Sequence, residues 1–240
     1  MKSIRVSEDQ RTFILEKTGR TFVPWGFNYD HDERGRLLED YWHAEWPKVE
    51  EDFREMKQLG ANVVRIHLQL GKFMRKPHEP NDAALDQLTR LIGLAERLHL
   101  YLDLTGLGCY HKKDVPSWYD DLSEKDRWDV QARFWEAIAS RCAKSPAIFC
   151  YDLMNEPVVP GGLRKHREWL GPAFAGKHFV QFITLDRGDR PRPTIARQWV
   201  QHLTTAIRKH DRRRLITVGL VPWSLDRPGL TSGFVPEKIV

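Results

Sequence analysis

The chain has 240 residues, of which 41% are hydrophobic and 30% are charged, and its formal net charge is +5. This length can bury one sizeable core and matches a single α/β domain of about 200–250 residues. No apolar run approaches the roughly 18 residues that a membrane span needs, so we expect neither a transmembrane segment nor a membrane partner.

The basic balance does not by itself indicate a nucleic-acid-binding protein. The densest basic run, residues 208–214 (RKHDRRR), follows a helical pattern. Cations stabilise the negative end of a helix dipole. We therefore predict a solvated helix end there, and no nucleic-acid partner.

The three cysteines do not form a recognisable site. No CxxC pair occurs, and an odd count in a chain of this size does not indicate a disulfide framework. We expect Cys142 and Cys150 in the core, whereas Cys109 lies in a polar loop that could expose it.

Strand and helix patterns alternate along the chain after an opening hairpin-like stretch at residues 4–22. The helical patterns cover about 49–59, 85–98, 123–142 and 194–207, with Ser123 and Thr194 as predicted N-caps. The candidates for buried strands are 22–30, 61–69, 100–106, 147–157 and 215–220.

Such alternation predicts a parallel sheet, either doubly wound or closed into a barrel. Two strand candidates carry polar residues on one face only: Arg65 and His67 alternate with apolar residues, as do Asp103 and Thr105. A doubly wound sheet is covered by helices on both faces and should be apolar on both. No glycine-rich phosphate loop follows any strand. The sequence therefore favours a (β/α)8 TIM barrel over a doubly wound nucleotide-binding domain.

The number of strands falls short of a closed barrel. Five βα strands are found where a barrel needs eight, and residues 233–240 (GFVPEKIV) look like the approach to a sixth. We expect one partial TIM-barrel domain over residues 1–240, truncated after about the fifth βα unit. Its two open sheet edges predict an unstable or aggregating product.

Polar and aromatic residues cluster where the predicted strands end. The carboxyl ends of parallel strands carry the functional residues of such folds. Aromatic rings in the loops provide flat surfaces for sugars, and the candidates are Trp42, Trp46, Trp118, Tyr119, Trp169 and Trp223. The acidic run at residues 30–33 (DHDE) predicts a solvated loop or subsite edge rather than a metal site, because adjacent side chains diverge.

Three short motifs carry a resemblance to a known family. GFN (26–28), RIH (65–67) and above all LMNEP (153–157), at the end of the fourth βα strand, resemble glycoside hydrolase family 5, whose members are retaining β-glycosidases with a (β/α)8 barrel. The resemblance implies that Glu156 is the acid/base, that Asn155 contacts the substrate 2-hydroxyl and that Arg65 supports the catalytic carboxylates. It further implies that subsites are lined by Asn28, His67, His111 and Trp223; Trp118 is an additional sugar-platform candidate.

The resemblance also implies a nucleophilic glutamate to which no residue of this sequence can be assigned. The family nucleophile is a glutamate after the seventh strand, and only Glu237 lies beyond the fifth predicted strand here. Thr105 also stands where many members carry a histidine. We expect a hydrolase of β-linked polysaccharide, endo-glucanase or mannanase in type, without metal or cofactor, whose 240 residues alone are inactive. A non-catalytic carbohydrate-binding relic remains the alternative.

The amino terminus carries no apolar signal-peptide region. Members of the family are commonly exported, so the resemblance implies a secreted or periplasmic protein.

Overall fold

The computed structural model describes residues 1–224 and 233–234. The strands β1 to β12 are, in chain order, Ile4–Val6, Phe13–Leu15, Thr21–Phe22, Gly26–Tyr29, Val63–Gln69, Met74–Lys76, Glu79–Pro80, Tyr101–Gly108, Ile148–Asn155, Pro157–Val158, Gln181–Phe182 and Leu215–Gly219. The helices α1 to α7 are Leu38–Tyr41, Trp46–Gln58, Leu70–Phe73, Asp82–Leu98, Ser117–Asp120, Glu124–Cys142 and Arg192–Arg208.

The main sheet has five parallel strands in the spatial order β4, β5, β8, β9 and β12. This order follows the chain without a reversal. A doubly wound sheet reverses direction at a topological switch point, and barrel strands follow one another in sequence. The doubly wound alternative is therefore wrong, and the sheet is of the kind from which a TIM barrel is built.

The two faces of the sheet differ in chemistry, as the alternation in β5 and β8 predicts. Val64 and Ile66 of β5 and Leu102 and Leu104 of β8 are fully buried in the main core. The same core contains the apolar faces of α2, α4, α6 and α7. Helices thus cover one face, and the polar side chains of the strands remain for the other.

The amino-terminal strands β1–β3 form a separate antiparallel sheet that packs on the amino ends of the main strands. The Phe22 ring centroid lies 5.1 Å from that of Tyr101 on β8 and 5.8 Å from that of Phe149 on β9. The predicted strand 22–30 is therefore wrong at its start, because Phe22 belongs to β3 and the parallel strand begins at Gly26.

The starts of α6 and α7 can be compared with the two predicted N-cap residues, Ser123 and Thr194. Ser123 is confirmed: its hydroxyl accepts a hydrogen bond from the Asp126 backbone N–H at 3.1 Å. Thr194 is wrong, because α7 begins three residues earlier than predicted, with Pro191 as its N-cap. The first turn also contains Pro193, and the first turn of a helix tolerates proline because its N–H groups have no intrahelical acceptor.

The basic run at 208–214 is only partly solvated, contrary to the prediction. Asp211 and Arg214 are buried. Arg208 Nη1 donates to the carbonyls of Asp211 and Arg214, and Arg214 Nη2 donates to the Ser145 carbonyl at 2.6 Å. These contacts fix the turn between α7 and β12.

Three further expectations can be compared with the described residues. Cys109 is buried, as are Cys142 and Cys150, so its predicted exposure is wrong. The strand predicted at 147–157 ends at Asn155. None of the helices in the described ranges is long and apolar enough to cross a bilayer. Residues 235–240 of the predicted approach to a sixth strand lie outside the described residues.

The packing of β3 on the main sheet predicts a large stability effect. Phe22→Ala should lower the free energy of unfolding by about 3 kcal/mol, because it removes the ring that contacts two core aromatics. Val6→Ala, at a position 37% exposed on β1 of the same antiparallel sheet, should change it by about 0.5 kcal/mol or less. Urea unfolding measures the free energy of unfolding of both variants. Equal losses in the two variants would show that the packing of Phe22 on the main sheet does not stabilise the fold.

Candidate active site

The guanidinium of Arg65 connects the polar side chains of four strands. Its Nη2 donates to Asp152 Oδ2 at 2.5 Å and to Asn155 Oδ1 at 3.1 Å, both on β9. Its Nε lies 3.7 Å from Asp103 Oδ2 on β8, and Nη1 donates to Asn28 Oδ1 on β4 at 3.5 Å. We call Arg65, Asp103, Asp152, Asn155 and Asn28 the Arg65 cluster. The planar fork of an arginine can serve several acceptors at once.

Asp152 is the buried anchor of the Arg65 cluster. Its side chain is 2% exposed and also accepts hydrogen bonds from Thr105 Oγ1 at 2.9 Å and from the Gly219 backbone N–H at 2.7 Å. A Cβ atom on Gly219 would lie 2.9 Å from Arg65 Nη2 and 3.1 Å from Asp152 Oδ2. Glycine at the end of β12 therefore leaves the room that this ion pair occupies.

Asp103 experiences a different environment from Asp152. Burial and the negative charge of Asp152 raise its pKa to about 7, although Arg65 acts in the opposite direction. Its Oδ1 is buried without a hydrogen-bond partner in the described part of the chain. The cluster thus holds two carboxyl groups beside one guanidinium, and Asp103 retains its proton to higher pH than an exposed aspartate does.

Glu156 lies immediately after β9, in a backbone conformation that is uncommon for residues other than glycine. Its φ is +49°. Its N–H donates to the Gly219 carbonyl at 2.6 Å, and its carbonyl accepts from the Gln181 N–H at 3.1 Å. Such a conformation costs about 1–3 kcal/mol and persists where neighbouring structure enforces it. Here β12 and β11 hold the peptide on both sides.

The Glu156 side chain is half-buried, and its carboxylate has no hydrogen-bond partner among the described residues. Burial raises its pKa above the ordinary value, and the positive charge of Arg65 partly offsets that rise. A carboxyl group in such a place keeps its proton to higher pH than an exposed one and can donate it to a bound molecule.

Asn155 presents its amide in a fixed orientation. Its Oδ1 accepts from Arg65, and one N–H of its Nδ2 donates to the Phe179 carbonyl at 3.3 Å. An amide nitrogen has two N–H groups, so one remains for a ligand. Asn28, at the opposite side of the Arg65 cluster, is exposed.

His67 is buried beside Tyr110 and carries no charge near neutral pH. Its Nδ1 makes a short hydrogen bond with the Tyr110 hydroxyl, and its Nε2 is buried with no partner among the described residues. Burial, followed by the charge of Arg65, lowers the His67 pKa to about 3. Tyr110 was not identified from the sequence; its position just beyond β8 was the only available signal.

The remaining predicted site residues lie outside the hydrogen-bond network of the Arg65 cluster. His111 Nδ1 lies 3.5 Å from Asp114 Oδ2, on the loop that follows β8. Trp118 is half-buried and contacts the Tyr119 ring edge-on, with centroids 5.8 Å apart. Trp223, which follows β12, is 50% exposed.

Most of the loop aromatics predicted as sugar platforms are core residues. Four of them are at most 5% exposed: Trp42, Trp46, Tyr119 and Trp169. Their prediction as platforms is wrong, because their rings are buried: Trp46 lies on the buried face of α2, and the other three lie in short helices or loops that pack against the rest of the protein. Trp118 and Trp223 keep accessible ring surface.

The acidic run at 30–33 is solvated at His31 and Glu33, as predicted, but not at Asp32, which anchors a turn. Asp32 is buried, accepts from the backbone N–H groups of Arg34 and Arg36, and forms ion pairs with Arg36 and Lys48. These donors lower the Asp32 pKa to about 2, against the effect of burial. Within the described ranges, no three His, Cys, Asp or Glu side chains form a group that could hold a metal ion.

Comparison with protein families agrees with this architecture. The family model described as cellulase (glycosyl hydrolase family 5) matches residues 16–238. The chain therefore belongs to glycosyl hydrolase family 5, as the motifs around Asn28, Arg65 and Glu156 predict. A search of curated proteins gave no match.

Solved structures of the family share the fold at low sequence identity. The exo-β-1,4-mannosidase Op5Man5 from an Opitutaceae bacterium has a TM-score of 0.65 and 18% identity over 90% of this chain and 35% of its own. GH5_18 from Streptomyces cattleya has a TM-score of 0.61 and 18% identity over 87% of this chain and 48% of its own. The β-glucanase SdGluc5_26A from Saccharophagus degradans, in complex with cellotetraose, has a TM-score of 0.53 and 19% identity over 90% of this chain and 53% of its own. The chain thus spans between about a third and a half of these structures.

The raised pKa of Asp103 predicts a characteristic pH dependence of stability. Its folded-state pKa lies above the value of about 3.9 in an unfolded chain. The folded protein therefore holds a proton that the unfolded chain has released, and the free energy of unfolding falls as pH rises between these values. Relative to Asp103→Asn, the wild type should lose about 2 kcal/mol between pH 5 and pH 8.

Chemical unfolding at several pH values measures this difference. Asp189→Asn, at an exposed loop position, is the matched control and should follow the wild type at every pH. Parallel curves for wild type and Asp103→Asn would contradict the protonation assigned to Asp103.

Proposed function

We propose that the protein is a retaining glycosidase that hydrolyses β-linked glycan of the glucan or mannan type, with Glu156 as its general acid/base. The observation that carries this proposal is the half-buried Glu156 carboxyl with its raised pKa, next to an Asn155 amide that Arg65 holds in place. Membership of glycosyl hydrolase family 5 supports it.

Glu156 would act twice in each catalytic cycle. Protonated Glu156 donates its proton to the glycosidic oxygen as the bond to the leaving sugar breaks, and the resulting carboxylate then takes a proton from the attacking water. A raised pKa keeps the acid form available nearer to neutral pH. Arg65 limits the rise, so that the carboxylate form is also accessible for the second step.

Asn155 would orient the sugar whose bond is broken. Its remaining amide N–H would donate to a sugar hydroxyl next to the scissile bond, while its oxygen accepts from Arg65. Asn28 and the neutral His67 line the same polar face, and Trp223 offers an exposed ring beyond β12. His111 and Trp118 would contact more distant sugar units.

A retaining enzyme also needs a nucleophile, which is a second carboxylate about 5–5.5 Å from the acid/base carboxyl group. Asp103 and Asp152 are both engaged with Arg65, which makes them poor nucleophiles. We propose that the nucleophile is a carboxylate outside the described residues. Binding without turnover in the protein expressed from its full reading frame would instead identify a non-catalytic relic.

Replacement of the acid/base gives a specific kinetic signature. In the protein expressed from its full reading frame, Glu156→Gln should lower kcat on an unactivated β-glucan or β-mannan by about 10²–10⁴-fold. An aryl glycoside with an acidic phenol as leaving group needs little protonation, so its first step should be much less affected. Azide should restore turnover of that substrate, because it attacks the glycosyl intermediate without needing a base. The alkaline limb of kcat/KM should also disappear.

Glu51→Gln is the matched control, since Glu51 is exposed on α2 and has no ion-pair partner within the described residues. Its kinetics should equal those of the wild type on both substrates. Normal turnover of unactivated glycan by Glu156→Gln would exclude Glu156 as the acid/base.

A further inference from the structure

Two strand ends beside the site carry residues with a left-handed backbone conformation. Leu107, on β8, has a φ of +57°, and Glu156, directly after β9, has a φ of +49°. This region is uncommon for residues other than glycine and is unfavourable unless neighbouring structure enforces it. The contacts that hold these two residues therefore determine how the strand ends are shaped.

One residue, Gln181 of β11, binds the carbonyl groups of both. Its backbone N–H donates to the Glu156 carbonyl at 3.1 Å, and its side-chain Nε2 donates to the Leu107 carbonyl at 2.9 Å. Gln181 is 1% exposed, so these hydrogen bonds are shielded from water. Gln181 thus links the end of β8 to the peptide that follows β9.

The pairing that places β11 next to Glu156 is short. It consists of two residue pairs, Pro157 with Gln181 and Val158 with Phe182. The Gln181 side chain adds a hydrogen bond from β11 to the main sheet, because Leu107 belongs to β8. We therefore expect this side chain to determine where the Gln181 N–H lies relative to Glu156.

The presence of a glutamine at this position is explained by its donor. The Leu107 carbonyl can only accept a hydrogen bond, so the group that faces it is the side-chain NH2. The other end of the amide, Oε1, is buried and has no hydrogen-bond partner among the described residues. An apolar side chain would avoid that unpaired oxygen, so packing alone does not account for a glutamine.

The backbone of Glu156 is fixed on both sides of its Cα atom. Its N–H donates to the Gly219 carbonyl at 2.6 Å, and its carbonyl accepts from Gln181. These two groups belong to different peptide units, so the two hydrogen bonds together restrain φ and ψ and the direction in which the side chain leaves the backbone. Without the bond from Gln181, Glu156 can relax towards the extended conformation that residues with a Cβ atom prefer.

We propose that Gln181 is a positioning residue for Glu156. Its side chain anchors β11 to β8, and its N–H then holds the Glu156 peptide so that the carboxyl keeps its half-buried place. Gln181 acts through Glu156 and not on the glycan, because it is buried and its amide is bound to Leu107. This role deepens the proposed function and rests on Glu156 being the acid/base.

Gln181→Met removes the donor and keeps the length of the side chain. In the protein expressed from its full reading frame, it should lower kcat on unactivated β-glucan or β-mannan by about 10–100-fold, because the displaced acid no longer meets the glycosidic oxygen. KM should change by about three-fold or less, since no group that binds the glycan is removed. The first step on an aryl glycoside with an acidic phenol needs little protonation and should be much less affected.

Two further measurements on Gln181→Met follow the Glu156 carboxyl itself. Burial raises the Glu156 pKa in the wild type. In the variant the carboxyl should be more exposed, so its pKa should fall towards the ordinary value. The alkaline limb of kcat/KM should therefore move to lower pH, and carboxyl ¹³C titration should show the same shift without any need for turnover.

Gln131→Met is the matched control, because Gln131 is a glutamine that is also 1% exposed. Its Nε2 donates to the Tyr119 hydroxyl at 2.8 Å, and its Oε1 accepts from Trp199 Nε1 at 2.7 Å. Its replacement should lower the unfolding midpoint but leave the kinetics on both substrates and the Glu156 pKa unchanged. This control separates a loss of stability from a loss of positioning.

Hydrogen exchange of the wild type tests the side-chain contact without a substitution, so it decides the question even if Gln181→Met does not fold. The side-chain NH2 of Gln181 should exchange much more slowly than that of Gln201, which is exposed on α7. Equal exchange of the two NH2 groups would overturn the proposal.

Two kinetic results would also overturn it: wild-type kinetics in Gln181→Met, or an equal loss on both substrates with an unchanged alkaline limb and an unchanged Glu156 pKa. Neither result bears on the proposed function, which fails if Glu156→Gln turns over unactivated glycan normally.

Discussion

The half-buried guanidinium of Arg65, with its hydrogen bonds and ion pairs, is the interaction on which the polar face of the sheet depends. One side chain on β5 contacts Asn28 on β4, Asp103 on β8, and Asp152 and Asn155 on β9. Removing one partner of such a buried network leaves a charge without compensation, which is costly. An arginine is suited to this place because its fork serves several acceptors and stays charged at every relevant pH.

Several neighbouring features follow from that one position. Gly219 leaves space for the ion pair, and its backbone also binds both Asp152 and the Glu156 peptide. Burial lowers the pKa of His67 and the charge of Arg65 lowers it further, and that charge also limits the rise in the pKa of Glu156. The same residue therefore fixes the Asn155 side chain, helps to keep the His67 imidazole neutral and adjusts the acid that we propose for catalysis.

The sequence predicted the sheet and the centre of the site well, and the loops poorly. Alternation in β5 and β8 identified Arg65, His67 and Asp103 on one face, because a strand repeats every two residues. The motif that ends in Asn155 and Glu156 identified the family. No local period governs loop paths, so the burial of Trp42 and the contacts of Tyr110 were not predictable. They depend on which distant loop each segment meets.

The pKa of Glu156 tests the central claim most directly, because acid/base catalysis requires a carboxyl that the site keeps protonated beyond its ordinary range. Carboxyl ¹³C NMR titration, with the Glu156 signal assigned by its absence in Glu156→Gln, measures this value. The account predicts a pKa above the ordinary glutamate value of about 4.3, and a further rise in Arg65→Met. A value at or below the ordinary one, unchanged when the Arg65 charge is removed, would contradict it.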